Sequence, residues 1–255
     1  MRARGSFQPQ AIAACLHLGR EPGSQPPSGA VGSAAARLGE EIATSGTWEV
    51  ELGFGKGRYL LARAASEPAV RFLGIELVAE FFRLAARRAT RRGLANVVLL
   101  QAEALYTLDV LLPRAFARAV HVYFPDPWPK ARHQKRRLFD ADTLDLLLGA
   151  LEQGGKLYFA SDHLEYAARV EEVLRGHPLL RVELVEGSWP EGPRTNYEAK
   201  YVAVGRPIRR LIATLDAAGA GGDRLLHPEG ARDVLVAWRQ PVQQEATAAA
   251  DIREA

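Results

Sequence analysis

The 255-residue chain suits one substantial domain with appendages, or at most two small domains. Apolar residues make up 47% and charged residues 25%, ordinary for a water-soluble globular fold, and no apolar run approaches the roughly 18 residues that a bilayer-spanning helix needs. The one cysteine, Cys15, excludes an intramolecular disulfide or a cysteine metal cluster and fits a reducing, cytoplasmic compartment. Basic residues number 33 and acidic residues 30, for a formal charge of +3, so a nucleic-acid reading rests on where the basic residues cluster.

In chain order, residues 1–46 form an arm whose stretch 19–33 is a Gly/Pro/Ser-rich linker. Ile12-Ala13-Ala14-Cys15 imitates a lipoprotein processing site, but the Ser6–Gln10 stretch before it is too polar and short for a signal core. A regular pattern then runs over 47–205. Trp48–Leu52 is expected as a strand, Arg58–Ser66 as a helix, and Val70–Ile75 as a second strand. Leu77–Arg92 reads as a helix with Phe82, Ala85, Ala86 and Ala89 on one face. Val97–Leu100 and Ala119–Phe124 follow as strands. Leu138, Ala141, Leu144, Leu148 and Leu151 recur at helical spacing, and Gly154-Gly155 turns the chain into a strand over Lys156–Ala160. A helix over Leu164–Arg175 precedes two closing strands, Leu180–Val185 and Tyr197–Val204. The segment 206–255 carries two possible helices and a loose Ala/Gln-rich tail, Gln240–Ala255. Strands alternating with helices at this spacing predict an α/β fold: a mostly parallel, Rossmann-like seven-stranded sheet with helices on both faces.

Chemistry concentrates at strand ends. Glu51-Leu52-Gly53-Phe54-Gly55-Lys56-Gly57 lies where the first strand meets its helix, and glycines there permit positive φ and close backbone approach. The sixth position of a dinucleotide fingerprint is Arg58 rather than glycine, and no phosphate-loop pattern is present. Glu76 ends the second strand, 19 residues past Gly57, where a carboxylate can accept hydrogen bonds from both ribose hydroxyls. Glu103 follows the third strand, near an adenine position, and Glu51 is placed to meet an ammonium. Three carboxylates around a nucleoside site suit a cationic sulfonium ligand and repel a pyrophosphate, which favours S-adenosylmethionine over NAD.

After the fourth strand, Pro125-Asp126-Pro127-Trp128-Pro129 holds Asp126 in a stiff loop at the carboxyl end of a central strand, with Trp128 able to stack a base. Five basic residues follow between 130 and 137. They open a helix, where the dipole disfavours cations by a few tenths to about 1 kcal/mol each, so the cluster calls for a compensating anion such as phosphate backbone. Arg83, Arg87, Arg88, Arg91 and Arg92, by contrast, crowd the end of the second helix and read as surface charge. Thr195-x-x-Glu198 has the form of a capping box, but the strand pattern of Ala199–Val204 speaks against a helix there; Ser161-Asp162 matches an N-cap for the helix at Leu164 as well as it matches a binding site.

Gly53–Gly57, Glu76, Asp126-Pro127-Trp128-Pro129-Lys130 with its basic tail, Ser161-Asp162-His163 and Thr195-Asn196-Tyr197-Glu198 together resemble the bacterial tRNA (guanine-N7-)-methyltransferase family over roughly 48–204. The resemblance implies a class I S-adenosylmethionine-dependent methyltransferase that modifies N7 of a variable-loop guanine. It places Glu51, Gly53, Gly55, Gly57, Glu76, Glu103 and Asp126 at the cofactor. Lys130, Asp162, Thr195, Asn196, Tyr197 and Glu198 would bind substrate, and Arg132, His133, Lys135, Arg136 and Arg137 would touch RNA. The family usually has Asp where this chain has Glu103, and the arm before residue 47 does not match its usual lead-in.

Guanine N7 carries an available lone pair and no proton, so direct displacement of a sulfonium methyl needs no general base, only alignment. A carboxylate facing the guanine N1–H and exocyclic amine would identify the base and stabilise its developing positive charge. Asp126 is the first candidate for this and Glu198 the second. The competing readings are an exocyclic-amine nucleic-acid methyltransferase, an inactive RNA-binding protein on the same fold, and, more distantly, a nicotinamide-dependent oxidoreductase. No metal and no obligate protein partner is expected; the partner is tRNA.

Overall fold

The computed structural model describes Ile42, residues 46–127, Phe139 and residues 141–216, without the side chains of 110, 111, 141 and 142. The strands are β1 (Trp48–Leu52), β2 (Arg71–Glu76), β3 (Val97–Gln101), β4 (Ala117–Tyr123), β5 (Leu151–Ser161), β6 (Leu180–Leu184) and β7 (Arg209–Leu215). The helices are α1 (Arg58–Ser66), α2 (Ala79–Arg91), the single turn α3 (Ala104–Tyr106) running into a π-helical turn at Thr107–Leu111, α4 (Ala141–Ala150), α5 (Leu164–Gly176) and α6 (Asn196–Ala203).

The strands form one sheet in the order β3-β2-β1-β4-β5-β7-β6. All neighbouring pairs from β3 to β5 are parallel, and β7 runs antiparallel to both β5 and β6. This is the expected seven-stranded, mostly parallel sheet. From β1 the chain steps outward to β2 and β3, then returns to place β4 on the other flank of β1. That reversal opens a crevice at the carboxyl ends of β1 and β4, where open α/β sheets bind ligands.

Burial on both faces explains the strand sequences: every residue of β1 is buried, and β2 and β3 are nearly so. Under α1 and α2 lies an apolar cluster that includes Phe54, Leu60, Leu61, Phe72, Phe82, Ala85 and Leu99. Burying each large member is worth roughly 1.5–3 kcal/mol. Gly74, in the middle of β2, lets this layer close. A Cβ there would lie 2.5 Å from Leu60 Cδ2, 2.6 Å from Phe54 Cδ1 and 2.9 Å from Leu99 Cδ2.

Three expectations are corrected. Tyr197–Val204 is not a strand: Tyr197–Ala203 belongs to helix α6, which Thr195 caps, its hydroxyl accepting a hydrogen bond from the Glu198 amide at 3.0 Å. The closing strand is Arg209–Leu215 instead, so the sheet extends past the expected domain end at 205. Gly154-Gly155 does not turn a helix into a strand either. The strand begins at Leu151, directly after α4, and the glycines sit in an irregularity where the pairing jumps from Ala117↔Leu151 to Ala119↔Lys156. The arm over 1–45, apart from Ile42, and everything after Asp216 lie outside the described residues. No helix among the described residues is long and apolar enough to cross a membrane.

Candidate active site

The bend after β1 occupies one wall of the crevice. Gly53, Gly55 and Gly57 all take positive φ, at 70°, 54° and 72°, a conformation that costs a residue with a Cβ. A Cβ built on Gly53 or Gly55 meets nothing within 4 Å, so those two glycines face open space. One on Gly57 would press within 3.0 Å of Ala85 Cβ on α2. The first pair leaves room for a ligand, and the third lets two helices approach.

Glu76 braces this bend. One carboxylate oxygen accepts from the Gly55 amide at 2.8 Å and the other from the Val78 amide at 2.8 Å. Each oxygen has a second lone pair left for a hydroxyl donor. The Gly53 amide donates to the Ile75 carbonyl at 2.7 Å, fixing the bend to the end of β2 from the other side.

Glu51 differs from Glu76. It is only 2% exposed, and its Oε2 has no hydrogen-bond partner among the described residues. Burial pushes its carboxyl up to about 8, against the opposing hydrogen bond from the Leu60 backbone; the nearby Glu76 charge adds to the rise and Arg194 relieves part of it. A buried carboxyl with an idle oxygen beside a glycine bend fits the ammonium or sulfonium end of a cationic ligand. The donor set therefore fits S-adenosylmethionine: a cation-seeking carboxyl, a braced bend without side chains, and Glu76 with acceptor capacity to spare.

Glu103, expected near an adenine, caps α3: its Oε2 accepts from the Tyr106 amide at 2.7 Å. The longer side chain performs the task an Asp does at an N-cap.

The other wall begins at Phe124, immediately after β4. Its φ is 53°, uncommon for a bulky residue, and its amide donates to the Ala160 carbonyl at 2.7 Å. This strained turn sends Pro125 and Asp126 out over the carboxyl edge, where Asp126 is exposed. Outliers of this kind cluster at functional sites. The Phe124 ring packs 5.8 Å from Tyr201 and 6.3 Å from Tyr197, the latter 58% exposed. Trp128, Lys130, Arg132, His133, Lys135, Arg136 and Arg137 lie outside the described residues.

The remaining predicted residues divide. Asp162 sits after β5 and pairs with Arg206 at 2.7 Å, and the Arg206 guanidinium lies 4.7 Å over the Tyr201 ring. Neither Ser161 nor Asp162 caps α5; His163 does, its Nδ1 accepting from the Tyr166 amide at 3.2 Å, while the Ser161 hydroxyl accepts from the His163 amide. Asn196 and Tyr197 are exposed on the first turn of α6. Glu198 is fully buried. Its carboxylate accepts from Arg210 Nε at 2.7 Å and from the Arg194 amide at 2.7 Å. A carboxylate so enclosed offers no face to a base, so the recognition role considered for it does not fit this geometry.

Sequence reasoning passed over Arg194, which organises that end of the molecule. Its guanidinium lies 3.9 Å over Trp189, 4.9 Å over Tyr158 and 5.1 Å over Tyr59, and its Nη1 donates to the Tyr123 hydroxyl at 2.6 Å. That hydroxyl is 2.9 Å from His121 Nδ1, and His121 Nε2 is 3.1 Å from Glu49. Burial lowers the His121 pKa and favours neutral imidazole. A proton on Nε2 then satisfies the whole chain from Arg194 to Glu49. Burial alone would raise Glu49, but the hydrogen bonds from His121, Arg118 and Arg63 outweigh it and hold the carboxyl at about 2. Nothing in the sequence separates Arg194 from a surface arginine. Among the described residues, no group of three or more His, Cys, Asp or Glu is arranged to hold a metal.

Residues 46–211 match the family model described as "Putative methyltransferase". The chain belongs to this methyltransferase family. Its similar relatives include the tRNA (guanine-N(7)-)-methyltransferase of Treponema pallidum (strain Nichols), 38% identical over 163 residues, covering 64% of this chain and 65% of the relative. Another is the protein of the same name from Bordetella parapertussis, 36% identical over 182 residues, covering 70% of this chain and 69% of the relative. The chain thus spans about 65% of the length of the Treponema relative. Among solved structures, the chain is similar to the 16S rRNA methyltransferase KamB, with a TM-score of 0.52 at 14% identity over 71% of this chain and 93% of that one. It is also similar to a SAM-dependent O-methyltransferase from Thermotoga maritima, with a TM-score of 0.50 at 18% identity over 72% of this chain and 65% of that one. Both likenesses speak to the fold.

Proposed function

We propose that this chain binds S-adenosylmethionine over the Gly53–Gly57 bend and transfers its methyl group to N7 of a guanine in tRNA. The observation that carries the reading is the pairing of that bend, with the idle oxygen of Glu51 behind it, and the strained turn that projects Asp126 from the adjoining strand end. The names of the 35–38% identical relatives support the acceptor. Bound S-adenosylmethionine supplies an electrophilic methyl carried on a positively charged sulfur.

The chain's own residues bind and orient. Glu76 offers its unused lone pairs to ribose hydroxyls while keeping the bend in shape, and Glu51 faces the cationic end. Asp126 accepts from the donor edge of guanine and offsets the positive charge that develops on the base. No side chain has to remove a proton before attack, because N7 carries none.

The test is direct. Purified protein, S-adenosylmethionine and unmodified tRNA should yield 7-methylguanosine at one mapped position. Asp126→Asn should slow transfer by roughly 10²–10³-fold, the range seen when one charge-stabilising group is removed, with unfolding unchanged because the residue is exposed. A methyl group on an exocyclic amine, or near-normal turnover in the variant, overturns the reading.

A further inference from the structure

Helix α2 buries Phe82, Ala85 and Ala89 against the sheet, so its orientation is fixed. On its outer side Arg83, Arg87 and Arg91 recur at four-residue intervals, each exposed, in a line of about 12 Å at 1.5 Å per residue. Arg92 follows, also exposed, and Glu80 is the helix's one acidic residue. Arg88 ties this surface to the glycine bend: its Nη1 donates to the Lys56 carbonyl at 2.8 Å, and Lys56 and Arg58 there are exposed as well.

Several arginines elsewhere in the fold are neutralised by carboxylates. Arg63 reaches Glu49 and Glu67, Arg175 and Arg209 reach Glu171, and Arg206 reaches Asp162. None of Arg58, Arg83, Arg87, Arg91 and Arg92 pairs with a carboxylate among the described residues. Like charges four residues apart on a helix repel by roughly 0.2–0.5 kcal/mol per pair. The helix dipole offsets this only in the last turn, which holds Arg88 and Arg91 and leaves Arg83 and Arg87 out. A rigid row of unneutralised guanidinium forks is built to meet a line of phosphates.

We infer that the Arg83–Arg87–Arg91 row, continued by Lys56 and Arg58 at the bend, is a backbone-binding surface for the RNA substrate. It is separate in sequence from the basic run at 130–137, and it replaces the reading of these arginines as plain surface charge. The choice of RNA as the polyanion rests on the proposed function.

The experiment compares Arg83→Gln/Arg87→Gln/Arg91→Gln with a control that removes equal charge elsewhere, Lys156→Gln/Arg169→Gln/Arg181→Gln, exposed on β5, α5 and β6. Transfer RNA affinity is measured across a salt series, and S-adenosylmethionine binding serves as a check on folding. The α2 variant should bind tRNA at least ten-fold more weakly at low salt. Its log–log salt slope should be shallower by about 2–3, since each lost phosphate contact removes about 0.7–0.9. Cofactor binding should be unchanged, and the control should keep the wild-type slope. An unaltered slope in the α2 variant, or an equal loss in the control, overturns the inference. Wild-type methyl transfer is assayed in parallel: a failure there with the slope difference intact would sink the proposed reaction and leave this surface standing.

Discussion

Glu51, near the end of β1, and Glu198, in the first turn of α6, are both withdrawn from water, at 2% and 0% exposure, yet they sit in opposite chemical situations. Glu198 is enclosed by donors: Arg210 grips one oxygen and the Arg194 amide the other. Glu51 receives a single backbone hydrogen bond and keeps one oxygen idle. A buried carboxylate with all its partners supplied by the protein is part of the scaffold. One that keeps an oxygen idle beside the glycine bend has acceptor capacity left over, as the proposed cationic ligand requires. Burial and residue type alone do not separate the two cases; the accounting of partners does.

The comparison breaks most visibly at Glu198. Glu198→Gln removes the charge facing Arg210, itself 4% exposed, and should cost about 3–5 kcal/mol in urea unfolding because a buried guanidinium loses its counter-charge. A loss below about 1 kcal/mol would mean that the pair is not structural.

Glu51→Gln should act with the opposite sign and only over a pH window. With its carboxyl at about 8, the folded chain retains a proton that the unfolded chain releases above the ordinary value of 4.5. The associated stability is complete at low pH and lost as pH rises through about 8, by at most about 1.4 kcal/mol per pH unit. The variant should flatten that decline. It should also bind S-adenosylmethionine more weakly, and the wild type's gain in affinity as pH rises towards 8 should disappear. Identical pH profiles for both proteins would refute the assignment. Glu49 works in the other direction: held at about 2, it stabilises the fold at neutral pH and gives that up as pH falls from the ordinary value of 4.5 towards 2.

The smallest effect sharpens the local picture. Thr195→Ala removes the cap on α6 and should cost about 1 kcal/mol, with Thr195→Ser restoring most of it. No measurable change in thermal unfolding would show that the α6 start is held by Glu198 alone.

How far the sequence foretold this depended on whether local pattern and tertiary partners agreed. Around the glycine bend they did: short apolar strands, a helix with Phe82, Ala85 and Ala89 at regular spacing, and an acidic residue at the end of β2 all keep their meaning in the fold. Near α6 they conflicted. Tyr197, Tyr201 and the small apolar residues between and beyond them satisfy a strand's alternation as well as a helix's spacing, and the Thr195 cap decides between them. The true closing strand opens with Arg209-Arg210, which no hydrophobic pattern would select; Arg210 is buried because a glutamate twelve positions earlier waits for it. His121 and Arg194 were missed for the same reason. Their roles rest on partners distant in sequence, Glu49 and Tyr123, which no local window contains.

Gly74 carries a further consequence. It lies one strand away from the bend, yet its missing methyl is what allows Phe54 and Leu60 to seat. Because Phe54 stands between Gly53 and Gly55, enlarging position 74 would press on the glycine bend from underneath. Mutational surveys confined to residues facing the crevice would never sample this position, and a variant there would present as a binding defect with every contact residue intact.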